Sequence, residues 1–122
     1  MHAPVNLEAI ANRWGEVRPK VLNVQHVEVF RGRPGAAYSH HAQLAVQGDR
    51  LLATWSLGAE DEDAPGQNMV LASSHDGGRT WGAPTVVAAQ PGRAAKSVVS
   101  SAGLVVVGEK WVAFYGHYEF VP

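Results

Sequence analysis

The chain of 122 residues is one domain's worth of polypeptide, enough to bury roughly two thirds of its unfolded surface. It sets 10 Lys+Arg against 11 Asp+Glu, a net charge of −1 with no basic run, which excludes the electrostatic footprint of a nucleic-acid binder. With no cysteine there is neither a disulfide framework nor a thiolate metal site, and no apolar stretch approaches the ~18 residues of a membrane-spanning helix.

Residues 1–22 read as a helix and its lead-in. Leu7, Ile10, Ala11 and Trp14 recur at helical spacing in NLEAIANRW, and Asn6 stands where an N-cap belongs. The start, MHAPVNLEAI, lacks the basic and apolar segments of a signal peptide, so the cytoplasm is the default expectation. From 23 the period changes to two. NVQHVEVF (23–30) alternates and predicts a strand. HAQLAV (41–46) and RLLATWSL (50–57), joined at Gln47-Gly48-Asp49, predict a hairpin. A polar loop, GAEDEDAPGQ (58–67), then separates this hairpin from NMVLAS (68–73), and PTVVAA (84–89) is a further short strand. QPGR (90–93) is a loop.

The last segment repeats the first hairpin. HHAQLAVQGDRLLATWS (40–56) lies over SSAGLVVVGEKWVAFYG (100–116) without a gap, at an offset of 60. Ala42, Leu44, Val46, Gly48 and Ala53 meet Ala102, Leu104, Val106, Gly108 and Ala113, and Trp55 meets Tyr115. A period of this length holding four strands is the signature of a propeller blade.

Between the third and fourth strands stands Ser74-His75-Asp76-Gly77-Gly78-Arg79-Thr80-Trp81, which fits S-x-D-x-G-x-T-W. Its residue types suit a turn: Ser and Asp side chains accept backbone N–H groups, glycines supply positive φ, and the Trp folds back over the hairpin. The stretch resembles the Asp-box, or bacterial neuraminidase repeat, of the sialidase-like β-propellers. Ser74, Asp76, Gly78, Thr80 and Trp81 are then structural. The resemblance implies an all-β fold of antiparallel four-stranded blades, about one and a half to two of them present, behind the short N-terminal helix. Residues 23–89 hold the first complete blade and 90–122 begin the next, which stops in mid-repeat, so a longer propeller is expected. Its other blades, or self-association through exposed blade edges, would cover the surfaces left bare.

Strand alternation sorts the connections between two ends. The Gly48 turn and the Asp-box share the far end. The loop before the first hairpin, the acidic loop, the segment around 90–97 and HYE (117–119) share the near end, where propellers keep their sites. The candidates there are Arg33, Tyr38, His40, His41, Asp61, Asp63, Gln67, Arg93 and Lys96, with Arg31, Glu60, Glu62, His117, Tyr118 and Glu119 in the same loops. His40 and His41 could hold a metal with Asp61 or Asp63, since imidazole and carboxylate suit zinc, but no spacing singles this out and no cofactor is assigned.

Sialidase resemblance implies exo-glycosidase action on an acidic glycan, with Asp61 or Asp63 in the loop of the acid/base and a Tyr/Glu nucleophile from later blades. Sialidases usually carry Arg-Ile-Pro where this chain has His40-His41-Ala42. A second likeness is to propeller lyases that cleave beside uronic acids, carried by Tyr38-Ser39-His40-His41, ATWSLG (53–58) and EDAPGQ (62–67). There His41 matches a histidine that would neutralise the carboxylate or shuttle a proton, while Asp61 occupies the place of a second histidine. His40, His41, Asp61 and Asp63 are thus the catalytic candidates, and Tyr38, Gln67, Arg93, Lys96 and Arg33 the substrate contacts. The expected partner is an acidic oligosaccharide or polysaccharide, with neither nucleic acid nor membrane. A glycan- or protein-binding module without turnover is the third reading.

Overall fold

Two glycines set the framework. Gly48 and Gly108 take φ of 62° and 60°, the left-handed region that a two-residue hairpin turn with glycine first demands and that other residues enter only with strain. Each closes an antiparallel pair. In the computed structural model, which describes residues 25–89 and 97–119, β1 (Tyr38–Gln47) turns into β2 (Arg50–Gly58), β3 (Asn68–Ser74) and β4 (Thr85–Ala88) follow, and β5 (Ser97–Val107) turns into β6 (Lys110–Glu119). β1-β2-β3-β4 form one antiparallel sheet in chain order and β5-β6 a second. The helix expected at 6–14, Arg93 and Lys96 lie outside the described residues.

The two hairpins share a register as well as a turn. In β1 the pairing shifts between His40, opposite Ser56, and Gln43, opposite Thr54. In β5 it shifts between Ser101, opposite Tyr115, and Gly103, opposite Phe114. One extra residue enters each inner strand at the same place in the repeat, a β-bulge that bends the strand and interrupts its alternation.

β2 is the central strand, and its alternation feeds two layers. Ala53 and Trp55 join Val70 and Ala72 in a cluster covered by Val29, Phe30, Leu57 and Trp81. Leu52 faces the other way and meets Ala45 and Leu104, with Leu71, Val106 and Trp111 around them. Leu104 comes from β5, so this second cluster joins the two sheets. Residues 25–30 form no strand, against the expectation for 23–30. Their apolar side chains are used otherwise: Val29 and Phe30 pack on the first cluster, with Phe30 5.8 Å from the Trp55 ring. Alternation records only an apolar face, and here that face lies over the Trp55 cluster without pairing its backbone to a strand.

The 74–81 turn satisfies its own backbone. Asp76 Oδ1 accepts from the Ser74 hydroxyl at 2.8 Å and from Thr80 N–H at 2.9 Å, and its Oδ2 accepts from the Thr80 hydroxyl at 2.7 Å. Gly78 N–H donates to Ser74 Oγ at 2.9 Å, and Trp81 Nε1 donates to the Gly78 carbonyl at 3.1 Å. Gly78 has φ of 87°, and a Cβ there would stand 3.2 Å from Leu51 Cδ1, so this glycine is required twice over. These bonds hold the Asp76 carboxyl well below the usual carboxylate range, the Thr80 backbone bond contributing most. His75 is exposed at the same turn.

Candidate functional site

β1 and β5 run side by side in the same direction, so like ends of the two hairpins meet. At the far end Gln47 Nε2 donates to the Gly108 carbonyl at 3.1 Å. At the near end His41 Nδ1 lies 3.1 Å from Ser100 Oγ. Tyr38 and His40, expected in the preceding loop, belong with His41 to β1 itself, which starts three residues before His41. The bulge matters here. Adjacent strand residues ordinarily point to opposite faces, yet the His40 and His41 rings lie 4.3 Å apart, because His41 adopts φ of 53° within the bulge.

Both rings reach one carboxylate. Glu62 Oε1 is 3.3 Å from His40 Nδ1 and 3.8 Å from His41 Nε2. Among the acidic residues of the 58–67 loop, the structure brings Glu62 to the histidines; Asp61 is exposed in the same loop. Asp63, with φ of 61°, turns the other way and accepts a hydrogen bond from the Tyr118 hydroxyl. Desolvation first, and then the hydrogen bond to Asp63 and its charge, push the Tyr118 phenol up to about 12.

Gln67 organises this end. It is fully buried. Its Nε2 donates to the Val99 carbonyl at 3.1 Å, which fixes the amide orientation, and its Oε1 accepts from Asp63 N–H at 3.2 Å. The same oxygen lies 2.7 Å from His40 Nε2. An amide oxygen only accepts, so His40 carries its hydrogen on Nε2 and turns Nδ1 toward Glu62. That Nδ1 is shut off from solvent and has no hydrogen-bond partner among the described residues. Expected as a substrate contact, Gln67 instead positions His40 and ties the loop to β5, whose Val99 N–H donates to the Gln67 carbonyl at 3.2 Å.

The remaining candidates are placed at the margins. Tyr38 stacks obliquely on His40 at 5.3 Å. Arg33 is exposed and closes a tight turn with Ala36 through backbone bonds of 3.1 and 2.8 Å. Arg31 is bound to Glu28, its Nε 3.0 Å from Oε1. An apolar cleft of ≈ 340 Å³, floored by Phe30, Ala53 and Trp55, opens beside His40. Ser100 was not foreseen as a site residue; the offset of 60 that aligns it with His40 is the one signal in the sequence that points to it. No family model matches the chain, and no curated protein and no solved structure is significantly similar to it.

Proposed function

We propose that the near end is a site for an acidic glycan in a sialidase-like propeller, and that β-elimination beside a uronate is the chemistry its side chains suit best. The observation that carries this reading is the convergence of His40, His41 and Glu62 with the Tyr118 hydroxyl at one end of the two hairpins. Elimination needs the uronate carboxylate neutralised, a base for the C5 proton and an acid for the leaving oxygen. The C5–H electron pair forms the C4–C5 double bond as the C4–O bond breaks, and the leaving oxygen takes a proton. The Tyr118 hydroxyl would give that proton once turned from Asp63 to the leaving oxygen, and an imidazole would remove the one at C5. Positive charge at the histidines would hold the carboxylate. Further blades would supply the rest of the subsite.

A specific observation favours a second reading, retaining exo-glycosidic hydrolysis. Tyr118 bonded to Asp63 is a Tyr–carboxylate pair of the kind sialidases use as nucleophile. The discriminating measurement offers the chain a polyuronate and a sialoside. Ultraviolet absorbance of an unsaturated uronate, lost in His41→Ala and weakened in Tyr118→Phe, is the expected result. Release of sialic acid would favour hydrolysis. Retention on an acidic polysaccharide matrix without product would leave a binding module, and neither retention nor turnover would overturn the proposal.

A further inference from the structure

The His40–Glu62 contact is short in distance and wrong in angle. Nδ1 and Oε1 are 3.3 Å apart, yet they make no hydrogen bond, and Nδ1 has lost its water. Gln67 keeps a hydrogen on Nε2, so whenever the ring is neutral Nδ1 presents a lone pair to a carboxylate that also offers only lone pairs. Two acceptors this close can both give their lone pairs to one cation. Ligands of a tetrahedral ion at about 2.1 Å are about 3.4 Å from one another. The Glu62 oxygen stands 3.3 Å from one imidazole nitrogen and 3.8 Å from the other, and all three atoms lie within 4.8 Å.

We propose that His40 Nδ1, His41 Nε2 and Glu62 Oε1 bind a divalent transition-metal ion of the zinc class, with the fourth position open to solvent or a substrate oxygen. Three further observations agree. Each imidazole has its other nitrogen on a second group: His40 Nε2 on Gln67 Oε1, which puts that ring's hydrogen there, and His41 Nδ1 on Ser100 Oγ, which holds the ring in place. His41 holds a left-handed φ of 53°, a conformation that costs a non-glycine residue and persists at sites where side-chain placement is selected. Ser101, its counterpart in the other bulge, is not among the residues with positive φ. Finally, His40 is almost shielded while His41 and Glu62 are half exposed, so the cluster is open on one side. Two imidazoles and one carboxylate with an open position form a donor set suited to catalytic zinc. The ion goes beyond the glycan reading and does not need it.

The test titrates Zn2+ and then Co2+ into the chelator-treated 122-residue chain by calorimetry and visible absorption. The expected result is one ion per chain, with Co2+ giving the strong visible bands of a four-coordinate site. His41→Gly and Glu62→Gln should abolish it. Glycine takes the left-handed φ freely, and Glu62 is on an exposed loop, so both variants keep the fold, as circular dichroism will verify. Gln67→Ala or Ser100→Ala should weaken binding about 10–100-fold, while Asp61→Asn and His75→Ala should leave it unchanged. Absence of binding, or binding that survives His41→Gly or Glu62→Gln, would overturn the proposal. Neither readout involves turnover, so failure of the glycan reading leaves it standing.

Discussion

Hairpins β1–β2 and β5–β6 are built to one plan: the same two-residue turn on Gly48 or Gly108, the same bulge, and the same register at an offset of 60. They are used differently. β2 is covered on both faces, by Phe30 and Trp81 on one and by Leu104 on the other, so Thr54 and Trp55 are buried. Their counterparts Phe114 and Tyr115 are 51% and 55% exposed on β6. Position along the repeat is therefore no guide to burial; what matters is how many layers surround the strand. The bulges differ in the same instructive way. In β5 it passes through Ser101 and Ala102 without left-handed backbone. In β1 it carries His41 in strain and turns two consecutive histidines to one carboxylate. A bulge is part of the plan, and the first hairpin has put it to use.

The sharpest test of the comparison is the leucine pair Leu44 and Leu104. Leu104 is buried between the sheets, whereas Leu44 is 60% exposed. Leu104→Ala should cost about 2–5 kcal/mol in urea unfolding, and Leu44→Ala no more than about 0.5 kcal/mol. Equal costs would mean that the sheets do not pack as described. Glycine substitution at the bulges comes next. Ser101→Gly should destabilise by about 0.5–1 kcal/mol through lost backbone entropy, while His41→Gly, which relieves a left-handed residue, should lose less.

A smaller effect distinguishes the far end. Asp76 has its folded pKa lowered, so its contribution is complete above the ordinary carboxylate value of about 3.9 and lost as pH falls through the folded one. Asp76→Asn should flatten the acid limb of the stability–pH curve; an unchanged limb would assign acid sensitivity elsewhere. At neutral pH the least effect belongs to Tyr118. Its folded pKa, raised to about 12 from 10.0, makes its contribution complete below pH 10 and lost as pH rises toward 12. Absorbance titration of phenolate should show one late component, absent in Tyr118→Phe and shifted earlier in Asp63→Asn.

Much of the fold was readable because it is local. Glycine at two turns, period-two alternation and the Ser-x-Asp-x-Gly-x-Thr-Trp turn each act over fewer than ten residues, and the structure contains the hairpins and the turn that they specify. Alternation misled at 23–30, since it records an apolar face and not the pairing of its backbone. At the site, the histidines and the acidic loop were placed at one end by strand direction alone. Glu62, in place of Asp61 or Asp63, could not be chosen that way: adjacent carboxylates differ only in where the loop turns them, and that depends on Asp63 and Gly66 taking positive φ around the buried Gln67.

By itself the sequence determined an all-β chain with a duplicated hairpin, a self-bonded turn at the far end and polar residues gathered at the near one. Tertiary structure alone decided that β5 lies against β1, that Gln67 closes on Val99 and His40, and that Ser100 and Tyr118 join residues more than fifty positions away. Turns and periodicity are governed by neighbours in the chain. A site is governed by packing between sheets, where a single buried amide or one strained residue settles which side chains meet.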